Sequence, residues 1–301
     1  MVRDIAVLGG GAWGSTLTAL LGAQGHRLRT WRRRDGDAAL ERLQDADLLV
    51  SAVALVGVAP LASRISPWSA RPVLSCSKGL DPRTGATASG LWHRACPSWP
   101  VLVLSGPNLA AELQQGLPAA SVLAGEDEAL SRQLQQDLSS EQLRLYRNSD
   151  PRGTELAGGL KNVMAIAAGI CDGLALGANA RASLLTRALA EMALVIEQLG
   201  GRAETLYGLA GVGDLMATAT SPLSRNYRYG HHLAAGQSSD AALLSVGATV
   251  EGLPTCEALC ALAAEHNWQL PIATNVLSLI RGELEPAAAL QQLMRRDLRR
   301  E

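Results

Sequence analysis

The chain has no phenylalanine, and aromatic residues make up only 3% of its 301 positions. Its core must therefore be built from Leu, Ala and Val. An excess of one charge is missing too. The 27 Lys and Arg residues balance 28 Asp and Glu, so there is no broad basic field of the kind that holds nucleic acid. No uncharged apolar stretch reaches the roughly 18 residues that a membrane span needs. Nothing resembles a secretory signal, since the first strand is entered by residue 4. Cysteines are few, odd in number and scattered: Cys76, Cys96, Cys171, Cys256 and Cys260. Cys256 and Cys260 have helical i,i+4 spacing, but no matching His or Cys pair completes a metal site. These features together predict reduced, mostly buried thiols, no metal, and a cytoplasmic protein. The arginine-rich end (Arg295, Arg296, Arg299, Arg300) reads as a solvated helix terminus.

The N-terminus is far more specific. Ile5–Leu8 is an apolar run of strand length that meets Gly9-x-Gly11-x-x-Gly14, and an apolar-periodic helix follows. In such a fingerprint the first glycine makes the tight turn, the second admits a pyrophosphate, and the third lets helix pack on strand. The phosphates then meet the unpaired N–H groups of a helix N-terminus. After the second strand (Leu28–Trp31), a site selective for NAD would carry an acidic residue; this chain carries Arg32-Arg33-Arg34. Arginines there can take a 2′-phosphate bidentately, so NADPH is the expected cofactor and NADH the alternative. A solvated basic turn is the competing reading of the same three residues.

Further strand candidates are Leu48–Val53, Val73–Cys76, Val101–Leu104, Ser121–Ala124 and Leu143–Tyr146. Helical candidates between the early strands are Ser15–Ala23, Ala38–Leu43, Val56–Ile65 and Thr87–Ala95. This alternation predicts a parallel, doubly wound Rossmann-like sheet. Polar turn residues cluster over Asn148–Gly153 around Pro151, so residues 1–149 are expected to bind the dinucleotide and 150–301 the substrate. Beyond that point only helical patterns remain: Lys161–Ile170, Arg181–Leu199, Leu233–Ala235, Cys256–Glu265 and Ala287–Leu298. The second half is therefore expected to be all α.

Lys161 is the most informative residue. It follows Gly158-Gly159-Leu160 and precedes about two turns of small or apolar residues. Burial there would lower its pKa and suit it to proton exchange near neutrality; a lysine snorkelling to water is the rival reading. Lys78, Gly106 and Asn108 follow strands whose carboxyl ends should line the cleft, although Lys78 reads equally as a surface turn lysine. Asp214, in Gly211–Met216, could orient Lys161 or cap a helix. Ser224-Arg225-Asn226 offers hydroxyl, guanidinium and amide donors suited to a phosphate, or a solvated turn.

Taken in order, Gly9–Gly14, Ser77–Leu80, Ser105–Glu112, Gly158–Met192, Gly208–Leu215, Ser224–Asn226 and Val250–Gly252 resemble the bacterial-type NAD(P)-dependent glycerol-3-phosphate dehydrogenases. The resemblance runs nearly end to end. It implies reversible reduction of dihydroxyacetone phosphate to sn-glycerol 3-phosphate for phospholipid synthesis, by a homodimer. It also implies an all-α C-terminal domain of the 6-phosphogluconate-dehydrogenase C-terminal type. By position, Lys161 matches the family's proton donor and acceptor, with Lys78 and Asp214 beside it in catalysis. Lys78, Gly106, Asn108, Asp214, Ser224, Arg225 and Asn226 match its substrate contacts. Trp13, Arg33, Lys78, Ala110, Arg225 and Glu251 match its cofactor contacts beside Gly9, Gly11 and Gly14, and Arg32 is added to them. The chain departs from the family in having Asn108 where Ser or Thr is usual, and in a shortened segment between Arg34 and Leu48. A reductase acting on another 2-oxo or hydroxy acid, or a sensor that binds NADPH without turnover, are the rival functions. The phosphate-suited triplet argues against the first, and the lysines with Asp214 argue against the second.

Overall fold

The computed structural model describes residues 1–289, so Arg295, Arg296, Arg299, Arg300 and most of the helix expected over 287–298 lie outside the described residues. Among the described residues, seven strands form one sheet: β1 (Asp4–Leu8), β2 (Arg27–Trp31), β3 (Leu48–Ser51), β4 (Val73–Ser75), β5 (Val101–Ser105), β6 (Ala119–Ala124) and β7 (Leu143–Asn148). Their order is β2-β1-β3-β4-β5-β6-β7. Helices α1 (Ala12–Ala23), α2 (Gly36–Glu41), α3 (Val58–Ile65), α4 (Ala88–Ala95), α5 (Ala110–Gln114) and α6 (Glu128–Leu138) alternate with them. Successive strand residues feed opposite faces: Ala6, Leu8, Leu49 and Val73 join one core, and Ile5, Val7, Val50 and Leu74 the other. Covering both faces is what makes these strands continuous apolar runs.

All seven expected strands are present, but the sheet is not wholly parallel. β1 to β5 are parallel, β6 is antiparallel to β5, and β7 runs parallel to β6. The link from β5 holds only the five-residue α5. At about 1.5 Å per residue it is too short to carry the chain back along a strand, as a parallel crossover must.

The second half is helical: α7 (Pro151–Gly173), α8 (Gly177–Gln198), α9 (Asp214–Ala219), α10 (Arg225–Ala234), α11 (Ser239–Val246), α12 (Gly252–His266) and α13 (Pro271–Ile280). α7 is the axis, with α8, α9, α10, α12 and α13 packed around it. Every residue from Gly153 to Cys171 is buried, which is why its sequence shows no polar stripe. It starts ten residues before the apolar run that announces it. Asp150 accepts the Gly153 N–H at 2.8 Å and Pro151 takes the first helical position, a favourable start whatever follows. Leu80, from the loop after β4, joins the core of this helical half.

Among the described residues, five helices, α5, α6, α9, α11 and α13, stand where the apolar pattern points to none. For α13 the reason is tertiary: Glu191 on α8 accepts the N–H groups of Ile272 and Ala273 at 2.7 and 3.2 Å. A cap supplied from 81 residues away leaves no local signature.

Candidate active site

Lys161 lies on α7, 6% exposed, and does not snorkel. Its Nζ donates to Thr218 Oγ1 at 2.6 Å and sits 2.9 Å from Asp214 Oδ1. Lys78 reaches the same carboxylate from the loop after β4, donating to Asp214 Oδ2 at 2.6 Å. Thr218 Oγ1 in turn donates to Asp214 Oδ1 at 3.1 Å. Asp214 is 2% exposed and opens α9. Its side chain serves the two lysines rather than capping the helix. One carboxylate thus holds two ammoniums and a hydroxyl, drawn from three separate segments.

Glycines make this convergence possible. A side chain at Gly158 would run into Ser105 Oγ, at the end of β5. A Cβ at Gly159 would lie 2.9 Å from the backbone of Gly79. The Lys78–Gly79 turn therefore rests directly on α7, two residues before Lys161.

The charges shape one another. Burial lowers the Lys161 pKa more than Asp214 raises it, and Lys78 lowers it further, to about 8. Burial alone would raise Asp214, but the two ammoniums overcome it and hold the carboxyl below its usual range. Burial raises Glu251, just before α12, against the pull of Arg225, Lys78 and Lys161. Lys161, Lys78, Asp214, Arg225 and Glu251 therefore share one electrostatic neighbourhood.

Ser224, Arg225 and Asn226 form the N-terminus of α10. Ser224 is the cap, its Oγ accepting the Tyr227 N–H at 3.2 Å, and Arg225 is exposed. Asn226 is more occupied than its sequence neighbours imply. Its Nδ2 donates to Asn162 Oδ1 at 2.9 Å, and its Oδ1 accepts the Gly252 N–H at 2.9 Å. One amide hydrogen is left for a ligand. Gly106 is buried with φ 149°, and Asn108 donates from Nδ2 to Ser121 Oγ at 3.1 Å.

The dinucleotide fingerprint fits its expected ligand. Gly9 has φ 115°, and a Cβ there would lie 2.6 Å from the Ala52 carbonyl oxygen. A Cβ at Gly14 would run into the Gly9 carbonyl. Gly11 has open space around it and caps α1 without a side chain. An anion can reach the first-turn N–H groups there. Arg32 folds its side chain over Gly10, while Arg33 is exposed beside it. Trp13 and Ala110 stand in the first turns of α1 and α5.

Two polar residues of this cluster escape the sequence reading. Thr218 is four residues after Asp214, the helical spacing that faces two side chains together. Asn162 is a buried amide in an almost wholly apolar helix. Both signals are present in the sequence, but neither names a partner.

The chain matches family models for the N-terminus of NAD-dependent glycerol-3-phosphate dehydrogenase over residues 4–43 and 36–131, and for the C-terminus over 150–291. It is 67% identical to a glycerol-3-phosphate dehydrogenase [NAD(P)+] of Synechococcus sp. (strain RCC307), covering 99% of each chain. A counterpart in Trichormus variabilis is 46% identical over 99% of this chain and 98% of its own length. Among solved structures, glycerol-3-phosphate dehydrogenase from Coxiella burnetii superposes with a TM-score of 0.92 at 32% identity, covering 98% of this chain and 99% of that one.

Proposed function

We propose, from the premise that this chain belongs to the NAD-dependent glycerol-3-phosphate dehydrogenase family, that the Lys161–Asp214–Lys78 cluster is where its substrate is protonated. The reaction is the reversible reduction of dihydroxyacetone phosphate to sn-glycerol 3-phosphate with NAD(P)H, which supplies phospholipid synthesis. The bound nicotinamide cofactor supplies the hydride. Every other task falls to the chain's own residues.

The observation that carries this reading is the bonding of Lys161. Two of its three N–H groups go to Thr218 and Asp214, which leaves one for the substrate carbonyl oxygen. Lys161 donates that proton as charge develops on the oxygen, and takes it back from the hydroxyl in the reverse direction. Asp214 fixes the direction of the ammonium, and Lys78 keeps its pKa near working pH. Gly106 and Asn108 border the carbonyl end of the substrate. Ser224, Arg225 and the remaining Asn226 hydrogen hold the phosphate at the N-terminus of α10. Binding that remote dianion aligns the carbonyl for reaction. The half before residue 150 supplies most of the cofactor contacts, and the helical half after it supplies Lys161, Asp214 and the phosphate contacts.

The phosphate argument has a direct test. NADPH absorbance should fall rapidly with dihydroxyacetone phosphate and hardly at all with unphosphorylated dihydroxyacetone. Equal rates with both would remove the role of residues 224–226.

Arg32 and Arg33 favour NADPH over NADH by pairing with the 2′-phosphate; the fold of Arg32 over Gly10 supports this. Glu251 and Ala110 complete the cofactor contacts. Changing both arginines to Ala should raise the KM for NADPH by roughly tenfold or more, since charge-assisted bonds are worth about 1.5–3 kcal/mol, and leave that for NADH nearly unchanged. Equal effects on the two cofactors would refute the pairing. No described helix is long and apolar enough to cross a membrane. By the family resemblance we read the protein as a cytoplasmic homodimer; sedimentation at micromolar concentration checks the dimer.

A further inference from the structure

Glu155 is a buried carboxylate that the chemistry above does not use. It lies on α7, 2% exposed, six residues before Lys161. Its Oε1 accepts the Ser89 N–H at 2.8 Å and its Oε2 accepts the Ser89 hydroxyl at 2.5 Å. Ser89 is in the first turn of α4, whose cap is Thr87. Arg152, also on α7, donates from Nη1 to Thr87 Oγ1 at 3.2 Å and from Nε to the Leu199 carbonyl at 3.0 Å. The helical half therefore reaches across to the sheet half and completes the N-terminus of α4.

That junction is tied to Lys78 by a short, closed piece of chain. The Asp81 N–H donates to the Ala86 carbonyl at 2.8 Å, closing the intervening loop upon itself. The Asp81 carboxylate accepts the N–H groups of Arg83 and Thr84 at 2.9 and 3.1 Å. Only two residues then separate Ala86 from Ser89, and two separate Lys78 from Asp81. Between Lys78 and Asp81, Leu80 is sunk in the core around α7 and Gly79 touches Gly159. A rigid strap thus runs from Glu155 through α4 and the closed loop to Lys78, and both of its ends rest on the helix that carries Lys161.

We propose that Glu155 is a positioning residue for the reaction: by pinning α4 to α7 it sets how closely Lys78 approaches the Asp214–Lys161 pair. This rests on Lys161 being the proton donor, and the test separates the two claims. The charged groups facing Lys161 are Asp214 at the start of α9, Lys78 from the loop after β4, and Glu251 before α12. Facing Glu155 are Arg152 on its own helix and the hydroxyls of Ser89 and Thr87. Of these, Lys78 is the group the strap controls. Its repulsion lowers the Lys161 pKa, so slackening the strap raises it.

The experiment is the pH dependence of kcat for dihydroxyacetone phosphate reduction by the full chain, between pH 6 and 10, in wild type, Glu155→Ala, Glu155→Gln and Ser89→Ala. Glu155→Ala should lower kcat by roughly five- to twentyfold and move the alkaline limb upward by about half a pH unit, as a displaced cation would. Glu155→Gln should restore both, because its amide oxygen can accept the Ser89 N–H while its nitrogen donates to the hydroxyl. Ser89→Ala keeps the backbone bond and should move the limb in the same direction by less. A merely structural cap would lower melting temperature and leave the limb in place; a folded Glu155→Ala with an unmoved limb overturns the proposal. If that variant does not fold, an unmoved limb in Ser89→Ala overturns it equally. A wild-type limb unaffected by replacing Lys161 would overturn the lysine assignment and the strap together, whereas a limb that depends on Lys161 but not on Glu155 overturns the strap alone.

Discussion

Replacing Lys161 with alanine should lower kcat by about two to four orders of magnitude, the usual contribution of a positioned acid or base. The KM values should change far less, because the phosphate and the dinucleotide are gripped elsewhere. The wild-type pH dependence should show the same residue at work. With the Lys161 pKa lowered to about 8, reduction should slow as pH rises through that value, because the donor loses its proton. Oxidation of glycerol 3-phosphate should speed up over the same interval, because the neutral amine is then the acceptor. Initial rates in both directions at saturating substrate would show the opposed limbs. An alanine variant with near-normal kcat would remove Lys161 from the mechanism, whatever the limbs do.

Asp214→Asn should have the next largest effect, and it should fall on stability as well as rate. The carboxylate is 2% exposed and neutralises two ammoniums at 2.6 and 2.9 Å. Removing one partner from a buried ion pair costs about 3–5 kcal/mol, because the charge left behind has neither water nor a counterion. For a chain of this size each kcal/mol is worth roughly 2–4 °C, so the melting temperature should drop by about 10 °C. The alkaline limb of reduction should move to lower pH, since Lys161 loses the group that does most to raise its pKa and keeps burial and Lys78, which lower it. Adding Lys78→Met to Asp214→Asn should recover part of the stability by removing one uncompensated cation, without recovering the rate. Thermal melts of the single and double variants check this. An Asp214→Asn protein that melts within 2 °C of wild type would mean that the two lysines are not held by that carboxylate.

The division between what sequence and structure each decide follows from how local each feature is. The Gly9–Gly14 turn, the strands that feed both faces of the sheet, and the lone lysine in an apolar helix are local patterns. Backbone sterics and hydrophobic periodicity make them legible in a single pass along the chain. The reversal of β6 and β7 was not legible, because strand direction depends on whether a connection can span the sheet. The cap of α13 was hidden for a similar reason, since Glu191 supplies it from another helix. At the candidate site, sequence marked Lys161, Lys78 and Asp214 separately, each with an innocuous alternative. Only tertiary structure could show that Asp214 bonds both lysines, that Thr218 closes the cluster, and that Asn226 spends most of its amide on Asn162 and Gly252. Sequence by itself determined which chemical groups are available and the backbone turns that present them. The tertiary structure decided which groups meet, because burial, contact and shifted proton affinity arise only when segments more than a hundred residues apart are packed against α7.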